Sequence, residues 1–89
     1  MPTTFVKSWK LKEDADSSVL LVEIKEDLAT LSVRNSLDVP KPLFIAVHTF
    51  RLDSQRGIKG LLEVAGEWLD GWRTVQVRKF LEDHGFTMN

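Results

Sequence analysis

A chain of 89 residues makes room for one domain with a modest core, and 43% hydrophobic with 28% charged residues is the composition of a folded chain rather than a disordered one. It has no cysteine for a disulfide framework, and two widely spaced histidines do not make a structural zinc site, so oligomerisation is the reinforcement left to so small a domain. Twelve basic against 13 acidic residues leave a net charge of −1, without the basic excess of a general nucleic-acid binder.

Thr3 to Lys12 alternates, with Phe5, Trp9 and Leu11 on one face, Lys7 as the exception, and Val6, Ser8, Lys10 and Lys12 on the other. That period predicts a half-buried strand, and the lysines suit a sheet edge. Glu13 to Ser18 is a polar connection. Val19 to Ile24 then favours a strand, Lys25-Glu26-Asp27 a turn, and Leu28 to Arg34 a return strand that puts Ala29, Leu31 and Val33 on one face. Pro40 and Pro42 make Asn35 to Pro42 a loop, and Leu43 to Phe50 is a strand rich in β-branched and aromatic residues.

Asp53 or Ser54 is the expected N-cap of a helix whose apolar stripe runs through Ile58, Leu61, Leu62, Ala65, Leu69 and Trp72. Continued at ~100° per residue, the stripe would reach Gln76, Lys79 and Asp83, whereas the apolar residues stand at Val77, Phe80 and Leu81. One straight helix therefore fails, and the break belongs between Asp70 and Thr74. The segment from Trp72 to Val77 also suits a short strand, but Thr74 as N-cap and Gly85 as C-cap favour a second helix. The expected fold is α+β over a single domain, 1–89. It has a four-stranded antiparallel sheet (about 3–12, 19–25, 28–34, 43–50), a long helix (about 54–70) and a short C-terminal helix (about 74–84).

Val19 to Val22 and Leu43 to Val47 are apolar on both faces, as central strands are, and one helical layer covers only one face. Either the C-terminal helix crosses to the other face or a second chain packs there, sheet against sheet. The sequence thus points to a small, non-enzymatic binding module that self-associates or binds a protein. Leu21 and Phe44 on the sheet, with Trp68 and Trp72 on the helix, are the interface candidates. Trp72 continues the core stripe, and Trp68 lies at its margin.

Two other classes carry residues of their own. Arg51, Arg56 and Lys59 stand with Gly57 and Gly60 at a strand-to-helix junction, where free N–H groups and glycines admit an anion or small ligand. The spacing matches no phosphate-loop motif, and Asp53 opposes an anion. Arg73, Gln76, Arg78 and Lys79 form a basic run suited to reading DNA from a second helix, although Glu67, Asp70, Glu82 and Asp83 flank it with opposite charge.

No catalytic residue, metal site or cofactor site is assigned. His48 reads as a buried or half-buried strand histidine and His84 as a residue favoured at a helix C-terminus, while no carboxylate pair or nucleophile–base order stands out. No apolar run approaches the ~20 residues of a membrane span, and the N-terminal segment alternates where a signal peptide would be apolar, so a cytoplasmic protein is expected.

Overall fold

The computed structural model describes residues 4–11, 18–34 and 44–87, with the side chain of Phe44 outside that description. The connections read at 13–18 and 35–42 lie outside the described residues, apart from Ser18. Four strands are followed by two helices: β1 (Thr4–Lys10), β2 (Val19–Lys25), β3 (Leu28–Arg34), β4 (Phe44–Arg51), α1 (Gln55–Trp68) and α2 (Gly71–Asp83). The strands form one antiparallel sheet in the order β1-β2-β3-β4, so β1 and β4 are its edges. The lysine-bearing first strand is an edge, as its composition predicts. The apolar fourth strand, read as central, is the other edge, because each strand pairs with the next in chain order.

The register fixes the two faces. Trp9 lies opposite Leu20 and Leu20 opposite Val33, while Phe5 lies opposite Ile24 and Ile24 opposite Ala29. Directly opposed residues point to the same side, so these side chains make one apolar layer. Both helices pack on that layer: Ile58, Leu61 and Ala65 of α1 and Val77, Phe80 and Leu81 of α2 are buried in one cluster with it. The Phe80 ring meets Trp9 edge-on at 5.8 Å, and Trp9 Nε1 donates to Gln76 Oε1 at 3.2 Å. The C-terminal helix therefore does not cross to the second face, which neither helix covers.

Local chemistry sets the boundaries. The β2–β3 hairpin turns through Glu26 and Asp27, with Glu26 at φ 58, the positive value that two-residue hairpins place at their first central residue. Ser54 caps α1, its hydroxyl accepting from the Gly57 N–H. Gly57 itself is required by close packing: a Cβ there would run into the Arg51 carbonyl oxygen at the end of β4. After Trp68 the chain turns extended at Leu69 (φ −111, ψ 155). Asp70 then caps α2, accepting from the Arg73 N–H at 3.2 Å and from Arg73 Nη1 at 2.8 Å.

The second helix thus begins at Gly71, ahead of the Thr74 expected from sequence, and its 13 residues nearly match the 14 of α1. Asp70 wins as the cap because its carboxylate meets both the backbone and the side chain of Arg73, whereas the Thr74 hydroxyl bonds back to the Asp70 carbonyl. At the far end Gly85 takes φ 89. Gly85 N–H donates to the Glu82 carbonyl and Phe86 N–H to that of Leu81, a Schellman closure at the glycine expected to end the helix.

Candidate interaction surfaces

The face of the sheet away from the helices consists of the residues that alternate with the core layer. Exposed Val6, Leu28, Ile45 and Val47 lie there, with half-buried Val19 and Leu21 between the edges. Ser8, Thr30, Ser32 and Thr49 interrupt them with hydroxyls, Ser32 being buried, and Glu23 interrupts them with a carboxylate. The register puts Lys10 and Arg34 toward one end of this face, and Lys25 and Arg51 toward the other. Leu21, expected at an interface, sits in the middle of it. Phe44, the other sheet candidate, opens β4, and its side chain lies outside the described ones.

A second apolar surface lies between the helices. Leu62, Gly66, Leu69 and Val75 line a groove of about 380 Å³, with Arg78 at its margin. Trp72 stands in the first turn of α2 and is 58% exposed; Trp68 is half-buried and packs against the core. This reverses the order read on a helical wheel. The wheel carries Trp72 along the stripe of α1, but the extended Leu69 ends that helix, and Trp72 belongs to a new axis. The guanidinium of Arg73 lies over the indole of Trp72, 4.5 Å from its centroid.

The basic candidates are met mostly by acids on their own elements. Arg51 faces Asp53 at 4.0 Å, and Lys59 faces Glu63 one turn on. Arg56 is exposed on the first turn of α1, whose Gly57 N–H is already taken by the Ser54 hydroxyl. In α2, Arg73 pairs with Asp70 and Arg78 with Glu82 at 3.3 Å, while Gln76 is occupied by Trp9. Lys79 is exposed, beside a depression that Lys7 and Asp83 also line. The glycines of the strand-to-helix junction have a packing role: Gly57 admits the Arg51 carbonyl, and a Cβ at Gly60 would lie 3.3 Å from the Phe50 ring.

The two histidines differ in exposure and neighbours. His48 is exposed, where a buried or half-buried position was expected, because β4 is an edge strand; its ring lies near-parallel to Phe50 at 6.2 Å. His84 stacks on Phe5 at 3.8 Å and meets Phe80 edge-on at 4.9 Å, joining the end of α2 to β1. Among the described residues no group of three or more His, Cys, Asp or Glu is arranged to hold a metal ion, and no helix is long and apolar enough to cross a membrane.

Sequence reasoning missed Ile45, Val47 and Val75, which the fold leaves exposed. The signal for the first two was present in β4, apolar on both faces, but a strand order was needed to read it. No family model matches the chain, and no curated protein or solved structure matches it either.

Proposed function

We propose that this chain is a non-enzymatic interaction module that works by associating with a second copy of itself. The observation that supports it most is the one-sided sheet. Both helices cover one face, and exposed Val6, Leu28, Ile45 and Val47 gather on the other. An apolar surface of this kind is what a small monomer rarely leaves open. A domain of 89 residues also buries a modest core, and without cysteine it gains most from a further chain. Sedimentation velocity at micromolar concentration should give twice the 10.2 kDa of the chain. A 10.2 kDa species at every concentration refutes the proposal.

The groove between α1 and α2 favours a second contact, with a protein other than the chain itself. Exposed Val75 lines it, and Trp72, three residues earlier on α2, is exposed as well; tryptophan is among the residue types that most often anchor such contacts.

A further inference from the structure

We infer that the outer edge of β4 is where the two copies meet, pairing antiparallel about a two-fold axis so that two four-stranded sheets become one of eight strands. The inference rests on the self-association proposed above and gives it a geometry.

The two edges of the sheet differ. β1 carries Lys7 and Lys10, and edge lysines oppose the addition of another strand. β4 has neither lysine nor proline, and its one charged residue, Arg51, is at its end. Among the described residues its backbone makes no backbone–backbone hydrogen bond outside the strand ladder, and as an edge strand it pairs with β3 on one side only. Side chains on both faces of β4 are exposed: Ile45 and Val47 on the open face, His48 on the helix side. α1 closes over the Phe50 end through Gly57 and Gly60, leaving the middle of the strand accessible.

Symmetry favours the same arrangement. Antiparallel pairing of β4 with its own copy uses identical surfaces and closes at two chains. Addition of β4 to β1 of the next copy would run on without closing, and the β1 lysines oppose it. Pairing at β4 also brings Ile45 and Val47 of both copies side by side, which removes part of the exposed apolar surface from water and leaves Val6 and Leu28 on the open face of the joined sheet. Aligned face-to-face packing is less complementary. A two-fold axis lying along or across the strands sets Lys10 and Lys25, at the two ends of this face, against a lysine-bearing end of the partner.

The geometry names its own test. Opposed residues share a face, so the axis falls on a residue, and the middle of β4 offers Val47 or His48. Opposed Cα atoms are then ~4.5–5.5 Å apart, within disulfide range. The chain has no cysteine, so Val47→Cys and His48→Cys, made singly, each report one position. One of them should oxidise to a covalent dimer, while Leu21→Cys, on the open face, should stay unlinked by a bismaleimide spanning the ~10 Å between packed sheets. Linkage through Leu21→Cys with none at either β4 position overturns the edge geometry and leaves self-association standing; a sedimenting dimer that links at no position does the same. A chain that sediments as a monomer and links at no position overturns both.

Discussion

Gly57 and Gly66 lie in the same helix, and the structure assigns opposite signs to the same substitution at the two positions. A Cβ at Gly66 has nothing within 4 Å, so Gly66→Ala changes little besides the backbone's own preference. Alanine is favoured over glycine in a helix interior by ~1 kcal/mol, which is the expected gain. At Gly57 the same preference meets an obstacle. The added methyl would run into the Arg51 carbonyl oxygen and lie 2.7 Å from its carbon. Neither atom can swing aside as a side chain would. Arg51 is held opposite Leu28, and the Leu52 N–H is bonded to the Asp27 carbonyl at 2.6 Å. The first turn of α1 must withdraw instead, loosening Ile58 and Leu61, which are buried against the sheet. Overpacking of this kind costs ~1–3 kcal/mol, and with a backbone obstacle the upper half of that range is expected; less the ~1 kcal/mol helix preference, this is a net loss of ~1–2 kcal/mol for Gly57→Ala. In a domain this small, 1 kcal/mol moves the midpoint by ~4–8 °C, so the two variants should melt on opposite sides of the parent. Urea and thermal unfolding at one fixed protein concentration measure both, since association would add its own concentration dependence. A Gly57→Ala variant as stable as the parent would refute the packing assigned to the β4–α1 junction.

Capping and exposure supply two more predictions. Asp70→Ala should cost ~1–2 kcal/mol in urea unfolding, as loss of an N-cap does, while Thr74→Ala should stay within ~0.5 kcal/mol. Equal losses would return the start of α2 to Thr74. Trp9 is buried and Trp68 half-buried, so Trp72→Phe should remove most of the emission open to a water-soluble quencher. Unchanged quenching in that variant would mean that Trp72 is covered in solution.

Where side-chain period alone decides structure, the sequence was sufficient. Alternation in β1 and β3 separates their two faces, whereas Val19 to Val22 of β2 are apolar on both and leave it to the pairing to put Leu20, Val22 and Ile24 in the core. The stripe of α1 was equally clear, and its failure beyond Leu69 located the break. What period could not supply was the direction of the chain across that break. A wheel assumes one axis, and the extended Leu69 ends the axis on which Trp72 counts as core. Cap choice was hidden for a related reason. Asp70 and Thr74 are both good N-cap residues, and the difference between them is the bond from Arg73 to Asp70, a contact between side chains.

The surfaces were less legible than the core, because exposure depends on which elements become neighbours. The residues of β4 are those of a strand flanked on both sides, and the sequence alone places it there. The fold puts it at an edge, with Ile45 and Val47 more than half exposed. Local composition and chain topology therefore disagree at this strand and agree at β1, where lysines stand at an edge. Such disagreements are expected at functional or strained sites. A strand with the composition of an interior one becomes interior when a second β4 pairs with it, and composition and position then agree at both edges of the sheet.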